Sequence, residues 1–223
     1  KLLIDGRQSL SGSVRISGAK NSVLPMLCAS VMASEGHVEL ENVPHLQDVT
    51  TTTRLLTQMG VSVTMDEFMN ISLNPSTIHN LYAPYELVKT MRSSILVLGP
   101  LLAKYGEAKV PLPGGCAIGM RPVDMHLDAL EKMGAIISVE NGYISAKAKK
   151  LQGAKIIFPK KSVTGTENII MAATLAKGKT IIENSASEPE ISDLCEFLNK
   201  MGAKIKGHGT SKIQVEGVKK LLG

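Results

Sequence analysis

Aromatic residues are scarce in this sequence: there are four Tyr, three Phe and no Trp in 223 residues. No basic residues gather around stacking rings, which argues against nucleic acid as a partner. Cysteine is equally sparse, and Cys28, Cys116 and Cys195 form no CxxC pair, so neither a disulfide framework nor a zinc site is expected. The five histidines are scattered without metal-ligand spacing, and no metal or cofactor is expected. The longest apolar stretch runs from Ile95 to Ala103, about half the ~20 residues a membrane-spanning helix needs. No leader pattern is visible, so the expectation is a reduced, cytoplasmic setting with no membrane partner. Like charges form no block, which disfavours disorder. The net charge of +5 suits an anionic small molecule without demanding one.

What is present is a repeat. LLTQMGVSV (55–63), ALEKMGAII (129–137) and FLNKMGAKI (197–205) each read as a helix end, a Gly stop and a β-branched strand. Their Met-Gly pairs are spaced by 74 and 68 residues. A second helix family precedes them: SVLPMLCASVMASEG (22–36), RSSILVLGPLLAKYG (92–106) and ENIIMAATLAKG (167–178). Their closing glycines are 70 and 72 apart. Two independent markers therefore give the same period. These helices are apolar on nearly every side, which requires burial. The expected fold is an α/β, inside-out barrel of three helix-strand-helix-strand-strand repeats, with helices buried and strands outside. Met59, Met133 and Met201 are then core, as are Cys28 and Cys195. Asp48, Asp124 and Asp193 read first as helix N-termini, where a carboxylate meets unpaired N–H groups. Leu2–Ser17 alternates as strand, turn and strand outside the repeat. Lys212–Gly223 reads as a strand running into a free polar turn, as though cut at a linker, and the opening Lys1 also suggests a piece of a longer protein.

One loop carries chemistry, PGGCAIGMRPVD (113–124). Its glycines and prolines forbid regular structure and let backbone approach a ligand. It leads into a helix start, where anions are favoured. Cys116 among glycines is expected to be exposed. A free thiol is ~3% ionised at neutral pH, and Arg121 with nearby N–H groups would raise that fraction. Such a thiol can exchange protons or attack carbon, although a small residue merely fitting a tight loop is the bland alternative. Lys20-Asn21 and Arg92 stand at helix starts rich in Gly or Ser that invite phosphate, but solvated surface cations would look the same. Gly178-Lys179-Thr180 is not a P-loop, because Ala173 stands where that pattern needs Gly and the triplet follows a helix.

SGAKNSVLPML, PYELVKTMRSSILVLGPLLA, PGGCAIGMRPVDMHL, SVTGTENIIMAATLA and IIENSASEPEI, in this order, resemble the UDP-N-acetylglucosamine enolpyruvyl transferases over the whole chain. The resemblance implies transfer of enolpyruvyl from phosphoenolpyruvate to the 3-hydroxyl of UDP-N-acetylglucosamine with release of phosphate, the first committed step of peptidoglycan synthesis. It implies two inside-out barrels facing across a cleft. It makes Cys116 the active-site thiol and the target of fosfomycin. Lys20, Asn21 and Arg121 would hold phosphoenolpyruvate. Arg92, Arg121, Pro122, Val123, Asp124 and Met125, with Lys161, Ser162, Val163 and Thr164, would hold the uridine nucleotide. The family is about twice this long. The resemblance assigns residues 1–19 to the other domain, which also carries the Asp that takes the hydroxyl proton, and residues 20–223 to the half with the Cys loop. That second half is then a partner, and the isolated chain should turn over negligibly. A shikimate-pathway enolpyruvyl transferase is the nearest rival, disfavoured by the Cys loop. An RNA-end-processing enzyme would need a nucleotide-accepting His and a basic groove. A non-catalytic uridine-nucleotide-binding fragment stays open.

Overall fold

A computed structural model describes residues 2, 3, 5, 6, 9–88, 92–112 and 123–223, with backbone alone at 86, 88, 92 and 93. In chain order the elements are α1 (Lys20–Ala29), β1 (Ala33–Glu35), β2 (Val38–Leu40), α2 (Gln47–Gln58), β3 (Ser62–Met65), β4 (Ile71–Asn74) and α3 (Tyr85–Val88). A 3-10 turn, Arg92–Val97, leads into α4 (Leu98–Tyr105), β5 (Glu107–Pro111), α5 (Asp124–Lys132), β6 (Ile136–Glu140) and β7 (Tyr143–Lys147). Then come β8 (Lys155–Ile157), α6 (Val163–Thr174), β9 (Lys179–Glu183), α7 (Pro189–Lys200), β10 (Lys204–Lys206), β11 (Lys212–Glu216) and β12 (Leu221–Leu222).

The apolar segments lie inside, as their lack of a polar face dictates. Every residue of α6 from Gly165 to Thr174 is buried. α1 packs against α2 and α7, α4 packs against α6, and the 3-10 turn touches both α1 and α6. Met59, Met133, Met201, Cys28 and Cys195 are all buried. Gly60, Gly134 and Gly202, one after each of those methionines, take φ of 101°, 91° and 105°, a turn that a side chain would strain.

The strands bury alternate residues against this helical interior, as in the pattern of β5 and β11. The sheets run β2-β4-β3, β5-β7-β6 and β8-β9-β11-β10, with β1-β12 separate. Three parallel contacts accompany them: Tyr82 bridges Lys109 of β5, β8 pairs with β9 within the four-stranded sheet, and β12 pairs with β1. The sheets remain separate, and no closed barrel forms among the described residues.

Three sequence expectations change. The first apolar helix does not reach Gly36. It becomes a 3-10 turn at Ser30–Met32 and then strand β1, held by the β12 pairing. The end of the chain is accordingly not free, since Leu221 is buried and the Gly223 N–H donates to the Glu35 carbonyl at 2.8 Å. The described residues of the opening segment form no strand, because a strand needs a neighbour to take its hydrogen bonds. Leu3 and Leu10 are 100% and 98% exposed.

Candidate functional site

Five helical N-termini carry the described sequence-predicted residues, and hydrogen bonds gather some of them in two groups, one where α1 meets α2 and α7 and one where α5 meets α6. Lys20 and Asn21 open α1. The Lys20 ammonium meets the Asp48 carboxylate at 3.0 Å, with side chains 45% and 38% exposed. An ion pair that open contributes roughly 1 kcal/mol or less. Asp48 also stands in the first turn of α2, so the helix-end expectation and the ion pair are both satisfied. Asp124 likewise opens α5. Asp193 corrects the reading made from spacing. It lies inside α7, which begins at Pro189, and accepts a hydrogen bond from the Ser22 hydroxyl at 2.6 Å. The Asn21 amide reaches Glu190 at 3.5 Å. The start of α1 is therefore faced by carboxylates from α2 and α7.

Ser162, Val163 and Thr164 are partly buried and Lys161 is exposed. Ser162 caps α6, its hydroxyl accepting from the Gly165 N–H at 3.1 Å. A Cβ at Gly165 would lie 2.9 Å from that hydroxyl, so the tight cap depends on glycine there. Val123 and Met125 are partly buried, and Asp124 is exposed. Arg92 is the first residue of the 3-10 turn, described by its backbone alone. Cys116, Arg121 and Pro122 lie outside the described residues.

Three buried polar groups just behind these residues escaped the sequence reading. The imidazole of His126 is 3% exposed, and burial pushes its pKa down to about 4, so it is neutral at pH 7. Asn168, fully buried, accepts from the Gly99 N–H at 2.7 Å and donates to the Ile95 carbonyl at 2.9 Å. Its amide nitrogen also lies 3.1 Å from His126 Nδ1, while His126 Nε2 lies 3.4 Å from the Thr164 hydroxyl. Glu167 is 2% exposed, and burial followed by the charges of Glu190 and Glu188 pushes its pKa up to about 8. The available signal was the polar triplet Thr166-Glu167-Asn168 inside an otherwise apolar helix. Thr166 accepts from the Ala186 N–H at 3.0 Å and so fixes the loop before α7.

The other two cysteines have no reactive character. Burial lifts the Cys28 thiol above its ordinary range, with the Glu167 charge adding to the effect. Burial and the Glu196 charge push Cys195 up to about 12. Among the described residues no group of His, Cys, Asp and Glu is disposed to hold a metal, and no helix is long and apolar enough to cross a membrane. The hollows lined by Glu39, Asp66 and Ser72, and by Lys104, Glu107 and Lys150, include none of these residues.

Known proteins share both the fold and the sequence. The enolpyruvyl transferase NikO from Streptomyces tendae superposes with a TM-score of 0.81 at 22% identity, over 97% of this chain and 51% of its own. An EPSP synthase from Acinetobacter baumannii gives 0.75 at 23% identity, over 95% and 48%. The UDP-N-acetylglucosamine 1-carboxyvinyltransferase of Hydrogenovibrio crunogenus is 59% identical over all 223 residues, which amount to 53% of its length. The chain thus spans about half the length of the relatives it matches. The shared architecture and the match of residues 4–223 to the family model of EPSP synthase (3-phosphoshikimate 1-carboxyvinyltransferase) lead to one conclusion: this chain belongs to that family.

Proposed function

We propose that the chain is the thiol-bearing half of an enzyme that transfers enolpyruvyl from phosphoenolpyruvate to the 3-hydroxyl of UDP-N-acetylglucosamine, in cytoplasmic peptidoglycan synthesis. The carrying observation is the 59% identity with a relative bearing that activity's name, sustained across every residue of the chain. The shikimate-directed reading has weaker support, because the EPSP synthase structure is only 23% identical. In this proposal residues 20–223 are one domain, and the exposed apolar residues of 1–19 belong with the other half. The three groups of elements form an inside-out, threefold arrangement. Its support is the recurring order of elements and the parallel pairing that recurs at Tyr82–Lys109, β8–β9 and β12–β1.

Cys116 on its glycine-rich loop serves as the proton donor or transient nucleophile toward the alkene. Protonating the methylene carbon makes C2 electrophilic, and the sugar hydroxyl oxygen bonds to it as its proton passes to the Asp of the other half. Loss of phosphate from C2 and of a proton from the methyl carbon restores the double bond. Lys20, Asn21 and Arg121 hold phosphoenolpyruvate. Arg92, residues 121–125 and residues 161–164 hold the nucleotide. Fixed donors aimed at developing negative charge lower a barrier by roughly 2.7–4 kcal/mol each. The Lys20–Asp48 pair is open and weak, so the ammonium is free to exchange that carboxylate for the substrate anion.

The test is reconstitution. The 223-residue chain alone should release no phosphate from the two substrates, and adding the complementary half of the 59% identical relative should restore turnover. Turnover with shikimate-3-phosphate in place of the UDP-sugar would overturn the substrate assignment.

A further inference from the structure

Asn168 stands where three segments meet. Its carboxamide oxygen accepts from Gly99 at the start of α4, and its nitrogen donates to Ile95 in the 3-10 turn that begins at Arg92. The same nitrogen faces His126, the third residue of α5, whose N–H donates to the Val123 carbonyl at 2.8 Å. Asn168 itself sits one helical turn beyond Thr164 on α6. The two therefore share a face and meet the two ring nitrogens of one imidazole. Gly99 leaves no room for variation, since a Cβ there would run into the Asn168 side chain and backbone.

The donors fix the order of these bonds. A backbone N–H can only donate, so the Gly99 contact identifies the Asn168 oxygen as acceptor. Its nitrogen must then donate to both Ile95 and His126. Nδ1 of a neutral imidazole that receives a hydrogen bond carries no proton, so the proton is on Nε2. Nε2–H consequently donates to the Thr164 hydroxyl, which accepts there and has its own hydrogen left to give. The opposite tautomer would reverse the last bond and draw that hydrogen inward.

We propose that Asn168 and His126 are positioning residues. Acting in series, they set the polarity of Thr164 so that its hydroxyl donates to a phosphate oxygen of the bound nucleotide, and they hold the three nucleotide-bearing segments in register. This rests on the nucleotide reading of residues 123–125 and 161–164. It concerns how the hydroxyl is oriented, which a contact with substrate alone does not determine.

The test uses the 223-residue chain. Imidazole nitrogen NMR should show His126 as the Nε2–H tautomer and neutral throughout pH 5.5–8, independent of any ligand. UDP-N-acetylglucosamine affinity is then measured by calorimetry for two substitutions. His126→Gln keeps a donor at the ε position and should stay within about threefold of the parent chain. His126→Asn keeps only the δ-position partner of Asn168 and should bind at least tenfold more weakly, although its thermal midpoint matches that of the Gln variant. An Nδ1–H tautomer overturns the proposal, as does equal loss of affinity in both variants tracking their loss of stability. Absence of binding by the parent chain removes the nucleotide reading and the role of the Thr164 hydrogen, whereas the tautomer result still judges Asn168 separately.

Discussion

Glu167 gives the sharpest energetic prediction. Its carboxyl is buried beside α1 and α7, and its folded pKa of about 8 compares with an ordinary value of 4.5. Between those values the folded chain binds a proton that the unfolded chain has released. Stability must therefore fall as pH rises through that window, and the loss is complete above about pH 8. Each pH unit corresponds to ~1.4 kcal/mol, so the window of about 3.5 units is worth on the order of 5 kcal/mol. Glu167→Gln keeps the shape and removes the ionisation. The two chains should be almost equally stable at pH 4.5. The Gln variant should then gain progressively, reaching on the order of 5 kcal/mol at pH 8.5, because all other titrations are common to both chains. Urea unfolding at half-unit pH intervals measures the difference directly. A difference independent of pH would refute the argument, because only an acid protonated in the folded state produces that slope.

Two further outcomes follow from burial. The Lys104 ammonium donates to the carbonyls of Val31 and Ala33, where α1 gives way to β1, and half-burial lowers its pKa. Lys104→Met keeps the apolar stem but orphans those carbonyls, costing about 1–3 kcal/mol, or roughly 2–12 °C in melting temperature for a domain of this size. A scanning calorimeter decides it, and an unchanged midpoint counts against the contact. Iodoacetamide at pH 8 should add one label per native chain, on Cys116, and none after Cys116→Ser. Peptide mass mapping that finds label on Cys28 or Cys195 contradicts their burial.

The parts of the fold legible in the sequence are those dictated by local chemistry. Gly60, Gly134 and Gly202 after buried methionines mark real helix stops, because backbone strain is a property of single positions. The apolar runs of α1 and α6 are buried because nothing in them can face water. What escaped depends on distant partners. β1 reads as helix until β12, nearly two hundred residues later, pairs with it. Asp193 looks like a helix start by spacing, yet its role is set by Ser22 of α1. His126 falls within a quoted motif, but its neutrality follows from burial and its Nδ1 contact is with Asn168, which no spacing connects to it.

The central claim is that the starts of α5 and α6 bind the uridine nucleotide. Titrating labelled chain with UDP-N-acetylglucosamine and following backbone amide shifts tests it most directly. Saturable shifts should concentrate at residues 123–126 and 161–168, with weaker ones at Lys20 and Asn21. Shifts confined to the outward sheet face around Glu39 and Ser72, or none up to millimolar nucleotide, would contradict it.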